Sequence, residues 1–463
     1  MRNSFRPAAL LAAVLLFAHV GQSDAAEAKV FNVRDYGAKG DGRSADTAAI
    51  NKAIEACSTA GGGRVELPAG NYLSGTVFLR SGVELHLEAG ATLSGSTDLK
   101  DYHNLVPPAI MPEAQAFAWH RALLLADGAH NITISGPGLI DGRKVFDAHG
   151  EEHMRGPHTI VLGHCRDVAI REISIKDSGN YAVLFEMTDR VTISNVKITG
   201  GWDGVHFRGC REQPCRDVTI SNCRFLTGDD SIAGRYWDRV RISDCVLNSS
   251  CNCVRLIGPA AHLAIEKCRM YGPGEHPHRT SDRHNCLAGL NIEPGSWDGT
   301  QGRLDDVTIR DITMDKVGTP FYFVLNKGNT AGRIAVSRVK ATGVYFTAAS
   351  VESWAETPFG EVSFRDVSIE FAGGGTAAAA KEPVRPPAND PRPLPAWGFY
   401  LRNVQNLTME NVRLTCVKDD LRSALIADRV QRLVLSDVTW PHVSGAAEPL
   451  VTSGVEHLER RDK

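Results

Sequence analysis

VTISNC (218–223) sets polar Thr219 and Ser221 between apolar Val218 and Ile220, the period-two signature of a half-buried strand. The phrase recurs. Upstream stand VAIREI from Val168 and VTISNV from Val191, and downstream VRISDC from Val240 and LAIEKC from Leu263. VTIRDI from Val307, IAVSRV from Ile334, VSFRDV from Val362, LTMENV from Leu407 and LVLSDV from Leu433 complete the series. Start-to-start steps are 23, 27, 22, 23, 44, 27, 28, 45 and 26 residues. The ordinary step leaves no room for a strand, a helix of normal length and two loops, but it suits one turn of a coil of three short strands. Leucine-rich repeats share this range, yet their L-x-x-L-x-L frame is absent. The expectation is an all-β chain, a single-stranded right-handed parallel β-helix (solenoid) over residues 29–455. Steps of 44 and 45 are near two ordinary periods, so each is expected to hide one degenerate or interrupted turn.

Cys223, Cys245 and Cys268 occupy one position in three successive phrases, which predicts an interior ladder of buried free thiols on turns about 4.8 Å apart. Of the eleven cysteines, Cys210 and Cys215 in CREQPC are the pair expected to close a surface loop as a disulfide. DTAAINKAIEAC (46–57) has apolar residues at helical spacing, with Asp46 as its expected cap, and predicts an N-terminal capping helix that plugs the coil. The Pro- and Ala-rich stretch 373–396 reads as a loop insertion from one turn.

The 463 residues are 43% hydrophobic and 23% charged, with a formal net charge of −3. That is a globular composition with no electrostatic case for nucleic acid or an anionic membrane surface. Arg2 and Arg6, an apolar run from Ala8 to Val20 and a small-residue exit at Ala25–Ala28 predict a cleaved signal peptide over residues 1–26. A buried N-terminal helix is the competing reading. The run is too short to span a bilayer, and no later segment reaches that length. The expectation is a monomer without a membrane span, secreted or periplasmic.

Function should ride on the turns, and the richest region runs from Gly200 to Gly295. Asp203 and Asp229 are 26 residues apart, one turn of the coil, with Asp230 beside them. Three like charges gathered on one face raise at least one pKa, giving a protonated donor beside an ionised acceptor. Trp202, His206, Tyr236 and Trp237 nearby are expected to contact a sugar ring. His276, His278 and His284 lie in one polar loop. A metal site would need convergent ligands, so surface or substrate contacts are expected instead, His284 being the one to reach the cleft. Neither a metal nor another cofactor is expected.

FNVRDYGAKGDGRSADTAAINKAIEAC, GVELHLEAGATLSGS and NITISGPGLIDG, followed in order by GWDG and GDD, resemble family 28 glycoside hydrolases, the polygalacturonase and rhamnogalacturonase relatives of the pectate-lyase-like β-helices. The likeness covers nearly the whole chain after residue 29. Four short motifs carry it in that family: Asn-Thr-Asp, Asp-Asp, Gly-His-Gly and Arg-Ile-Lys. The first reads Gly201-Trp202-Asp203, keeping the acid and losing the Asn, and the second is intact as Asp229-Asp230. The third places Asn252 where His is usual, and the fourth places Asn291 and Glu293 where Arg and Lys are usual. The resemblance implies a secreted inverting hydrolase of a plant-wall polysaccharide, with Asp229 as general acid and Asp203 and Asp230 activating water. Losing two cations and gaining Glu293 disfavours a carboxylate at that position. The change points to a rhamnogalacturonan-type or mixed pectic backbone rather than plain homogalacturonan, with Arg255 or Lys327 as a relocated cation. Two rivals stand beside this reading, a polysaccharide lyase on the same coil and a noncatalytic carbohydrate-binding β-helix.

Overall fold

In the computed structural model, Val168, Val191, Val218, Val240, Leu263, Val307, Ile334, Val362, Leu407 and Leu433 each pair in parallel with the next. The structure describes residue 1 and residues 29–105, 120–297 and 299–461. Apart from Met1, the expected signal peptide lies outside the described residues. Earlier turns extend the same ladder: Ile132 pairs with Val168, and at the third position of the phrase Val65, Leu85, Ile134 and Ile170 pair in series. The ladder runs from the strand Val30–Asn32 to the strand His457–Arg461. The fold is a right-handed parallel β-helix.

The repeat folds as it does because each position in the phrase has one job. Its first and third residues point inward and are excluded from water, as with Val218 and Ile220 at 1% and 0% exposure. The fifth residue turns the corner in the left-handed region, with φ of 52–57° at Asn195, Asn222, Asp244, Asp311, Asp366 and Asn411. Asn and Asp tolerate that region better than other side chains, which explains their recurrence there. The sixth residue returns to the interior, so Ile173, Val196, Cys223, Cys245, Cys268 and Ile312 form one buried column.

Two expectations about spacing and one about a cap need correction. Leu263 pairs directly with Val307, and Val362 with Leu407. The steps of 44 and 45 residues are therefore single turns with long arms, not doubled turns. Residues 272–287 and 293–302 supply the surplus in the first, and 374–395 in the second. The helix forms over Thr47–Thr59 and buries Ile50, Ala53, Ile54 and Cys57. Asp46 precedes it, but its carboxylate accepts from the backbone N–H groups of Lys39 and Gly40, at 2.7 and 3.0 Å, rather than capping the helix.

The three ladder cysteines are buried free thiols. Cys210 and Cys215 are free as well, against the expected disulfide. The reason is phase: Cys215 opens the strand Cys215–Ser221 and points into the main core, while Cys210 packs against Met187 outside it.

Candidate active site

The strands Val205–Arg208, Ile232–Arg235, Asn252–Leu256 and Ala288–Ile292 lie side by side on one face. Their outward residues form the row His206, Ala233, Arg255 and Asn291. At the entry to these strands the ladder sets Asp203, Asp230 and Asn252 one above another. Gly204 N donates to Asp230 O at 2.9 Å, and Ser231 N to Asn252 O at 3.0 Å. Asp230 is thus the in-register neighbour of Asp203, and Asp229 stands one residue to the side. Gly228 makes this tight turn possible: a Cβ there would lie 2.5 Å from Gly201 O and 2.6 Å from Pro277 O. The hydroxyls of Thr227 and Ser249 donate to the Asp229 carbonyl at 2.8 and 2.7 Å and fix its backbone.

Each carboxyl has a different environment. Asp203 Oδ2 lies 2.7 Å from His206 Nδ1, and the imidazole stacks on Tyr181 with centroids 4.4 Å apart. Burial, with Asp229 and Asp230 adding repulsion, holds the Asp203 carboxyl well above the ordinary range. Burial and the cations Arg208, Arg235 and Arg155 hold His206 well below its usual value. Both shifts favour the uncharged pair, a carboxylic acid at Asp203 facing a neutral imidazole at His206. Asp230 Oδ1 accepts from Asn252 N and Nδ2 at 3.0 and 2.8 Å, and Oδ2 stands 3.8 Å from Arg255. Burial pushes its carboxyl up to about 6 against the pull of Arg255. Burial acts on Asp229 too, but Arg155, His278 and Arg255 outweigh it and keep that group below the ordinary carboxylate value. Arg155 Nη2 reaches Asp229 Oδ2 at 3.2 Å and Glu152 at 2.7 Å, with its guanidinium 3.9 Å above the Trp202 ring.

The three acids open into a cleft of about 590 Å³, walled by Glu151, Glu152 and Arg155 on one side and by Arg255, Trp297 and Asp390 on another. Asp229, Asp230 and Cys251 bring ligand atoms within 4.8 Å of one another. Arg283 Nη2 already stands 3.3 Å from Cys251 Sγ, and burial raises that thiol well above its usual value. Nearby cations and a protonated thiol oppose a metal there.

A family model described as rhamnogalacturonase A/epimerase, pectate lyase-like, matches residues 30–253. The exo-poly-α-D-galacturonosidase of Dickeya chrysanthemi is 27% identical over 257 residues, covering 44% of this chain and 41% of that one. A probable polygalacturonase of Vitis vinifera is 26% identical over 313 residues, 64% of this chain and 63% of that one. The chain thus spans less than two thirds of either relative. The crystal structure of a hyperthermoactive exopolygalacturonase from Thermotoga maritima superposes with a TM-score of 0.62 at 18% identity, covering 84% of this chain and 93% of that one, a likeness of fold. Over residues 30–253 this chain matches that family model, and its β-helix resembles those of family 28 glycoside hydrolases.

In this family 28-like coil the expected site residues divide sharply. Asp203, Asp229, Asp230, His206 and Arg255 line the cleft, and Asn252 lies behind it, holding Asp230. Trp202 is fully buried beneath Arg155, so its ring is not open to a sugar. Trp237 is core, edge-on to Phe207 at 5.1 Å, and Tyr236 lies outside the cleft with its hydroxyl on Gln301 O at 3.3 Å. His284 is exposed and bonds Gly274 O. The loop histidine that reaches the cleft is His278, with Nε2 3.7 Å from Asp229. Asn291 and Glu293 are both fully buried and do not border the cleft, so neither touches a ligand from this position. Burial pushes Glu293 up to about 7 despite Arg255. Lys327 is exposed and outside the cleft.

Sequence reasoning missed Glu151, Glu152, Arg155, Tyr181, Arg208, Arg235 and Asp390. Arg208 and Arg235 had a signal, since each lies two residues after the outward row position of its strand. Arg155 and Asp390 had none, because both arrive on irregular arms. The 374–395 arm returns to the cleft: Arg255 Nη2 donates to Asn389 O at 2.6 Å and pairs with Asp390 at 3.2 Å.

Proposed function

We propose that this chain is an exported inverting glycoside hydrolase acting on a pectic polysaccharide of rhamnogalacturonan-type or mixed backbone. The observation that carries this reading is the convergence of Asp203, Asp229 and Asp230 in one cleft with pKa values driven apart. Hydrolysis of a glycosidic bond needs a carboxylic acid to protonate the leaving oxygen and a carboxylate to draw a proton from water. Among the three acids both forms coexist near neutral pH.

The family resemblance makes Asp229 the acid and Asp203 with Asp230 the base. In the free cleft the proton instead sits on Asp203, facing His206, and Arg155 keeps Asp229 ionised. For Asp229 to donate, bound sugar must draw Arg155 away. The carboxyl, then buried beside Asp230 without its cation, takes up the proton that Asp203 gives up. Asp203, now ionised, accepts the proton of the attacking water, which restores the carboxylic acid facing His206 as Asp229 gives its proton to the leaving oxygen. Tyr181, stacked on His206, holds that imidazole in place, and Asn252 fixes Asp230.

The test is incubation of the purified chain with defined pectic oligosaccharides, with products identified by mass spectrometry and their anomeric form by proton NMR. Expected are saturated products whose new reducing end is inverted, with turnover falling by about 10²- to 10⁴-fold in Asp229→Asn. Unsaturated products absorbing in the ultraviolet establish the lyase instead. Undiminished product release by Asp229→Asn removes that residue from catalysis.

A further inference from the structure

The cations of the cleft are unequal in how far they are already engaged. Arg255 donates to Asn389 O at 2.6 Å, pairs with Asp390 at 3.2 Å and faces Asp230 at 3.8 Å. Arg155 is divided between Glu152 and Asp229. Arg283 is tied to Ser250 O, Cys251 Sγ and Ser281 Oγ at 3.2 to 3.4 Å. Arg208 differs. It lines the cleft at only 4% exposure, and among the described residues its one side-chain hydrogen bond runs from Nη2 to Tyr181 OH at 3.2 Å, with no carboxylate or backbone oxygen on the fork. Its buried Nε–H, like those of Arg155 and Arg255, has no partner among them. A guanidinium has five donors in a flat fork, so this one keeps capacity for a second planar group.

Arg235 stands in register with Arg208 on the next turn and also lines the cleft at 4% exposure. Stacking two buried guanidiniums on adjacent turns is repulsive, and Glu151 and Glu186 lie within electrostatic range of both. Ala233, the row position between His206 and Arg255, is the smallest side chain of that row and leaves room for a ring above it.

We propose that Arg208, backed by Arg235, is the subsite for the carboxylate of a uronic-acid residue of the substrate. The inference rests on the hydrolase reading and deepens it. The acidic sugar sits over the N-terminal turns of the cleft. The C-terminal end, where Asn291 and Glu293 are buried and Arg255 is paired with Asp390, accepts a neutral one. An acidic residue next to a neutral one is what a mixed backbone presents.

The test is titration calorimetry on full-length Asp229→Asn protein, so that turnover does not intervene. The probes are a tetrasaccharide of alternating galacturonate and rhamnose, and the same sugar with its carboxyls methyl-esterified. The acid should bind at least about tenfold tighter than the ester, since charge-assisted hydrogen bonds to a carboxylate are lost on esterification. Adding Arg208→Gln should abolish the difference. Arg208→Lys, which keeps the charge but not the fork, should retain part of it, and it decides the matter if Arg208→Gln fails to fold by circular dichroism. Equal affinity for acid and ester, binding of neither, or an undiminished preference in the folded Arg208 variants overturns the subsite. Acid-selective binding with no hydrolysis of either sugar by the unmutated chain leaves the subsite standing and removes the hydrolase.

Discussion

Asp230 pairs a carboxyl raised to about 6, chiefly by burial, with an Asn252 side chain that donates to it. A carboxyl whose folded pKa is raised supports the fold fully below its unfolded value near 4, and that contribution is lost as pH rises through about 6. Asp230→Asn removes the penalty and still offers an oxygen to Asn252. The variant should therefore melt higher than the parent at pH 7 to 8, by at most about 3 kcal/mol in stability, and the gap should close by pH 4. Scanning calorimetry across that range checks it. Arg155 gives a second handle. Arg155→Gln removes the guanidinium 3.2 Å from Asp229 and should raise that carboxyl. With Asp229 as proton donor, the alkaline limb of the kcat/KM profile moves to higher pH. Movement of the acidic limb instead identifies Asp229 as the base. The three acids were legible because GWDG and GDD fall one repeat apart. The aromatic contacts were not, because nearness in sequence does not say which face of a strand a ring takes. Trp202 and Trp237 both turned inward.

At the level of the element, the phrase and its corner were readable from alternation alone, while the arms were not. Ile173, Val196 and Ile312 occupy the cysteine column on other turns, so Cys245→Val should cost no more than about 1.5 kcal/mol. Cys245→Asp puts a charge where no partner waits, and should unfold the chain or lower its melting point steeply. Both are read by thermal melts. The 374–395 arm is pinned by Arg392, whose guanidinium meets the fully buried Glu352 at 2.6 Å and donates to Tyr322 OH at 3.1 Å. Arg392→Met strands a carboxylate out of water and should cost about 3–5 kcal/mol, with faster proteolysis inside 374–395. Unchanged cleavage kinetics would show that the arm is held elsewhere. Its Pro- and Ala-rich composition announced an excursion but not its landing place, since Asn389 and Asp390 reach Arg255 through a contact between residues 134 apart in sequence.

Across the whole molecule, the two long steps carry the main lesson of length read without register. A span near twice the period is equally compatible with two plain turns or one turn with an arm, and only strand pairing separates them. The arms are where the cleft acquires its walls: 272–287 brings His278, 293–302 brings Trp297 and 374–395 brings Asp390. Among the described residues no helix is long and apolar enough to cross a membrane.

Asp203, Asp230 and Asn252 are stacked by the ladder itself, so the interval between the chemical groups is a spacing of the backbone lattice. The walls are set separately, by segments whose length the lattice does not constrain. Changes in an arm can then retune which sugar is admitted while the interval between the acids stays constant. Recognition and bond cleavage thus become separately adjustable in one continuous chain.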